Sequence, residues 1–220
     1  MTARHVIGSR DSVILRLNSR DRSRLVCYPH RLSGGTTQII FDPKRPEVDL
    51  VLLHMPDIPD TDPLIFDYST IADETMYRSW EISEGTEVYT LGYLFGYSGQ
   101  KQNFPVTRFG QIALLTEEYW YRTRERNLNE QAYLVELQST PGLSGAPVIL
   151  RGPEFRMGHQ GQLQSRRVPL IVVGVIKGLL TSPHGSQGLA AMEPARHLKE
   201  ILKDIVERLK GEGADVKVPR

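Results

Sequence analysis

The chain has 220 residues, 27 of them basic and 26 acidic, for a formal net charge of +1; the length suits one domain with a sizeable core, and the charge argues against a polyanion partner such as nucleic acid. Cys27 is the only cysteine, which excludes an intrachain disulfide and a cysteine-based metal site. No apolar run approaches the roughly 20 residues of a membrane-crossing helix.

Taken in chain order, short apolar and β-branched runs separated by turn signals predict an all-β chain. The first runs are 12–17, 25–28, 37–41 and 49–55, and His5 stands before them where a strand end reads as passing into a turn. Residues 56–73, rich in proline and aspartate, read as a connection. Six further runs follow, at 87–93, 106–115, 133–137, 147–150, 170–180 and 188–192. Two long loops, 116–131 and 151–168, interrupt them and carry no motif; Tyr119, Trp120 and Tyr121 fit packing against a sheet better than a substrate lip. The arginine clusters within 16–24 and 122–126 read as solvated faces. The glycine-rich stretch from Gly92 to Gly99 lacks the Lys-Ser/Thr of a phosphate loop and reads as a hairpin loop. After Pro194, Leu198, Ile201, Leu202, Ile205, Val206 and Leu209 recur at three- and four-residue steps, predicting an amphipathic helix that docks on the sheets and ends near Gly211. The last residues read as a frayed tail.

Three segments carry chemistry. Thr2-Ala3-Arg4-His5 presents an imidazole, Asp49 opens the apolar run Leu50-Val51-Leu52-Leu53, and Pro141-Gly142-Leu143-Ser144-Gly145-Ala146-Pro147 sets a serine between glycines. A serine on such a tight turn has backbone N–H groups converging beside its hydroxyl, and it becomes a nucleophile when a histidine takes its proton and a carboxylate orients that histidine. Each segment alone also has a plain reading: ordinary turn chemistry for the serine loop, a strand-end carboxylate for Asp49, a surface histidine near the terminus for His5. His30, His54, His159, His184 and His197 show no metal-ligand spacing, so neither metal nor cofactor is expected.

In this order the segments resemble the Thr-Ala-x-His, Asp-Leu-x-Leu-Leu and Gly-x-Ser-Gly-Gly-Pro motifs of the trypsin-like serine peptidases, at spacings usual in that family. The resemblance runs from residue 1 to about residue 205. It implies an all-β fold of two six-stranded Greek-key barrels of chymotrypsin type, disulfide-free, with a C-terminal helix. One peptidase domain would occupy 1–210, with a partial N-terminal barrel in 1–55, a connection in 56–80, the C-terminal barrel in 81–192, the closing helix in 194–210 and a flexible tail in 211–220.

The roles the resemblance implies are Ser144 as nucleophile, His5 as base and Asp49 as the acid that orients it. The Gly142 and Ser144 N–H groups would form the oxyanion hole. Gln138, six residues before the serine, would floor the primary pocket, and its neutral amide argues against substrates with a basic side chain there. Ile176, Lys177 and Gly178 would form the main-chain edge that pairs with substrate, with 182–187 bordering the pocket. Leu143 stands where secreted relatives carry an aspartate that receives a new N-terminus, which argues against activation by trimming. The expected activity is that of a serine endopeptidase on polypeptides through an acyl-enzyme, in a reducing compartment such as the cytoplasm.

One departure is plain. Only four residues precede His5, where the family has two or three strands, so the first barrel is expected to lack its N-terminal strands and the recorded start to lie inside a longer product. A non-catalytic peptide-binding module of the same fold is the alternative expectation.

Overall fold

The computed structural model describes residues 1–32, 39–40, 47–53, 55, 57–63, 65–93, 99–116, 118–122, 129–138, 140–151, 155–157, 163–165, 169–182 and 185–211. Residues 94–98 of the glycine-rich stretch, 183–184 of the segment expected to border the pocket and the tail from 212 lie outside them, as do the side chains of Trp120 and Tyr121.

The chain opens with β1 (Thr2–Ala3) and one helical turn, α1 (Arg4–Ile7), closed by Gly8 at φ 56. The expected turn at His5 is therefore helical. The hairpin β2 (Ser12–Asn18) and β3 (Leu25–Arg31) follows, paired from Ser12 opposite Arg31 to Asn18 opposite Leu25. Then come β4 (Ile39–Ile40) and β5 (Leu50–Leu53), and β5 lies between β1 and β4 in a three-stranded antiparallel sheet. Among the described residues this N-terminal half is two separate small sheets, an open form of the barrel expected there.

Period-two geometry makes β5 a strand shared by two cores. Leu50 and Leu52 join the main core, while Val51 faces a smaller cluster with Ile7 and Leu32. The connection that follows contains a 3-10 turn, Tyr68–Thr70, and the helix α2 (Glu74–Ser79). Asp67 and Asp73 cap them by accepting the N–H groups of Ser69 and Met76, the role for which short polar side chains are favoured at helix starts.

The second half contains β6 (Glu87–Gly92), β7 (Val106–Leu114), β8 (Trp120–Arg122), β9 (Asn129–Gln131), β10 (Tyr133–Leu137), β11 (Pro147–Leu150), β12 (Phe155–Met157), β13 (Leu163–Ser165), β14 (Val172–Ser182) and β15 (Gly185–Pro194). Six of these close a barrel in the order β10-β15-β14-β11-β6-β7, and they are the six apolar runs read from the sequence. The two stretches expected to be plain loops instead contain the ribbons β8–β9 and β12–β13. Strands of three residues are too short for alternation to show in sequence. The helix α3 (Ala195–Gly211) follows β15 directly and buries Ala195, Leu198 and Ile201, with Leu202 and Ile205 packed beside them. Burying a Leu or Ile side chain contributes roughly 1.5–3 kcal/mol, so about three turns of one apolar face are ample to dock this helix.

Among the described residues no helix is long and apolar enough to cross a membrane, and no group of three or more His, Cys, Asp or Glu side chains is placed to hold a metal ion.

Candidate active site

The pairing of β1 with β5 sets Thr2 opposite Val51 and Ala3 opposite Leu50. The register carries on for one more step, with the Arg4 N–H donating to the Asp49 carbonyl at 3.2 Å. The helical turn α1 then swings the next residue over the Asp49 side chain. The His5 N–H donates to Asp49 Oδ1 at 3.0 Å and its ring Nδ1 lies 2.6 Å from Oδ2. Both carboxylate oxygens thus hold one histidine. The Asp49 side chain is 3% exposed and that of His5 24%, so the pair is a buried acid beneath a reachable ring. With the Nδ1–H directed at the carboxylate, the neutral ring keeps its lone pair on Nε2.

The serine turn is built on two glycines, Gly142 at φ 102 and Gly145 at φ 90, backbone that side chains resist. Leu143 between them anchors the turn: it is 1% exposed, and a Cβ at Gly92 would collide with its side chain. The Gly145 N–H donates to the Ile176 carbonyl, the Ala146 N–H to the Leu143 carbonyl, and the Ile176 N–H to the Ala146 carbonyl, at 2.8, 2.8 and 2.9 Å. Among the described residues, no acceptor is bonded to the N–H of Gly142 or of Ser144. A Cβ at Gly145 would stand 2.6 Å from Thr2 Oγ1, 2.9 Å from Thr2 Cα and 3.1 Å from the Ala3 nitrogen. The serine turn is therefore packed directly on the strand that leads into His5.

The pairing of β14 with β11 ends at Val175, and β14 runs on beyond it paired with β15. At Gly178, beyond that pairing, an added Cβ would meet nothing within 4 Å. The Lys177 side chain is turned inward and 2% exposed, so this residue offers the expected edge its main chain alone. Gln138 lies just past β10, exposed, with its amide oxygen accepting from Arg108 Nη1 at 3.2 Å. It lines an open groove of about 630 Å³ with Phe109, Glu136, Arg151 and Gly188; neither His5 nor Ser144 lines that groove. The described residues of the segment expected to border the pocket, 182 and 185–187, belong to β14 and β15, with Ser182 paired to Gly185.

One group escaped the sequence reading. Glu193 accepts the Asp49 N–H through Oε2 at 3.1 Å and sits with Lys177 and His197 in the interior. Burial pushes its carboxyl up, but the bond to His197 and the charge of Lys177 outweigh that and hold it below the usual carboxylate range. The sequence does contain a signal, since Lys177 and Glu193 each interrupt an otherwise apolar strand run.

No family model and no curated protein matches the chain. Solved structures do. An HtrA-type protease, AlgW, with a decapeptide superposes at TM-score 0.52 and 18% identity over 94% of this chain and 47% of that one. AlgW with a tripeptide gives TM-score 0.52 and 19% identity over 94% and 52%. The chain thus spans about half the length of the structures it resembles. With the closed six-stranded barrel and the C-terminal helix, this likeness shows the trypsin-like serine peptidase fold.

Proposed function

We propose that this chain is a serine endopeptidase that cleaves polypeptides through Ser144, His5 and Asp49. The observation that carries the proposal is the bond between Asp49 Oδ2 and His5 Nδ1 at 2.6 Å, which orients a reachable imidazole on a buried acid beside a strand against which the serine turn packs. In the proposed reaction Ser144 Oγ attacks the scissile carbonyl carbon while His5 Nε2 takes its proton. Asp49 stabilises the imidazolium that results. The carbonyl oxygen becomes an oxyanion that accepts the N–H groups of Gly142 and Ser144, each such donor being worth about 3 kcal/mol in the barrier. His5 then protonates the leaving amine, and water repeats the sequence on the acyl-enzyme.

The space at Gly178, past the end of the β11 pairing, suits an extended substrate, which would lie along Ile176, Lys177 and Gly178 and bond through the main chain. AlgW is solved with peptides bound, which fits this reading. In the proposed primary pocket Gln138 is neutral, and the guanidinium of Arg108 stands on it, so basic side chains are disfavoured. Cleavage of a peptide library mainly after Lys or Arg would remove Gln138 from that role.

A fluorophosphonate probe tests the proposal. The folded chain is expected to be labelled at Ser144, with labelling abolished in Ser144→Ala and much reduced in His5→Ala. No labelling of a folded chain would favour the second reading, a peptide-binding module of the same fold that does not catalyse. What favours that reading is the N-terminal half, in which β2–β3 and β1–β5–β4 form two separate sheets among the described residues.

A further inference from the structure

Next to the Asp49 backbone, a set of buried polar groups converges on one carboxylate. Glu193, near the end of β15, is 1% exposed. Its Oε2 accepts the Asp49 N–H at 3.1 Å and the Lys177 ammonium at 3.0 Å, and its Oε1 lies 2.5 Å from His197 Nδ1. Lys177 Nζ also donates to the Gln131 carbonyl at 3.0 Å.

The local structure puts each partner there. Ile176 pairs with Met192 and Gly178 with Ala191, so the register shifts at Lys177 in a β-bulge; bulges re-aim side chains, and this one faces the interior. His197 follows Glu193 by four residues, at the first turn of α3, which returns its ring to the strand end. Burying an ammonium and a carboxylate together is expensive, and well-packed apolar residues of similar volume often serve stability as well or better. Stability alone is thus a poor account of the pair. What apolar residues cannot supply is an acceptor for the Asp49 N–H.

We propose that Glu193 is a positioning residue for the active-site acid: clamped by Lys177 and His197, its carboxylate holds the Asp49 backbone so that both side-chain oxygens stay on His5. The role rests on the peptidase reading of His5, Asp49 and Ser144. It also links the acid to the substrate edge, since the same carboxylate oxygen holds Lys177, between Ile176 and Gly178.

Two double variants isolate the bond. Lys177→Met with Glu193→Gln and Lys177→Met with Glu193→Met both remove the buried charges, but only the glutamine keeps an acceptor for the Asp49 N–H. The readouts are the low-field proton resonance of His5 Nδ1–H and the rate of fluorophosphonate labelling at Ser144. The resonance is expected in the glutamine variant and lost in the methionine one, with labelling at least about tenfold slower in the latter, the scale of a displaced catalytic group. Equal resonances and equal rates in the two would overturn the proposal. Amide exchange in the native chain covers a variant that fails to fold: a protected Asp49 N–H supports the bond, and exchange as fast as in an unstructured peptide refutes it. A native chain that shows the His5 resonance but is not labelled at Ser144 would sink the peptidase reading, and with it the active-site role of the clamp, while the resonance in the two double variants would still decide whether Glu193 holds Asp49 on His5.

Discussion

Asp49 is held at four atoms: its carbonyl by Arg4, its N–H by Glu193, and its two side-chain oxygens by the backbone and ring of His5. Replacing it with Asn keeps shape and one acceptor but presents an amide N–H or a weaker acceptor to the ring, favouring the wrong tautomer. Asp49→Asn is therefore expected to fold like the parent and to lose roughly 10⁴ in kcat; peptide turnover beside a thermal unfolding curve checks both halves, and unchanged turnover would remove Asp49 from catalysis. Gly145 makes a different demand. At φ 90, with Thr2 Cα 2.9 Å from where a Cβ would stand, Gly145→Ala must push the serine turn off β1. It is expected to cost about 1–3 kcal/mol for the strained backbone and to suppress labelling at Ser144 far more than the lost stability explains. At this scale the sequence was informative wherever chemistry imposes a local pattern. His5, Asp49 and Ser144 each sit in a short segment whose neighbours shape a turn or a strand, whereas Glu193 acts through a bond 144 positions away, which no window of sequence contains.

The elements of the second half were legible for a physical reason. Barrel strands are apolar on the inner face and bounded by turns, so Tyr133–Leu137 and Pro147–Leu150 emerge with the expected bounds. The ribbons β8–β9 and β12–β13 did not emerge, since three paired residues provide no alternation to read. The pairing of β1 with β5 was equally hidden, because two residues form that strand and their partners lie far along the chain. Between the two halves, α2 and α3 are tied by Asp73, which caps α2 and accepts Lys199 Nζ at 2.6 Å. The Lys199 bond, then the Met76 N–H, hold its carboxyl below the usual carboxylate range. A depressed carboxyl contributes stability above its unfolded pKa and loses it as pH falls through the folded one. Asp73→Ala is thus expected to cost about 1–2 kcal/mol near neutral pH, mostly the lost cap, since the Asp73 side chain is 42% exposed and its ion pair is screened. The gap between variant and parent should close on acidification; urea midpoints measured from neutral to strongly acid pH check the sign, and a gap that widened would reverse the assignment.

Over the whole molecule, the N-terminal strands have, among the described residues, little core of their own. Their small cluster centres on Ile7, Leu32 and Val51, while Leu50 and Leu52 belong to the core of the barrel half. Among the described residues the two halves are joined by β5, by the packing of Gly145 on Thr2, by hydrogen bonds between Arg16 and Asn18 of β2 and Gly99 and Asn103, and by Glu193 of β15, which bonds Asp49 while Lys177 of β14 and His197 of α3 hold its carboxylate. This last connection makes a prediction about coupling. Removing one partner of a buried ion pair leaves an uncompensated charge and typically costs about 3–5 kcal/mol, whereas removing both costs far less. Lys177→Met and Glu193→Met alone are each expected to fall in that range. The double variant should be much more stable than the sum of the two losses predicts, short of that sum by more than about 2 kcal/mol. Urea unfolding of the four chains measures it directly. Additive losses would mean that Lys177 and Glu193 do not act as a pair, and then the Glu193 carboxylate that bonds Asp49 would be held by His197 alone.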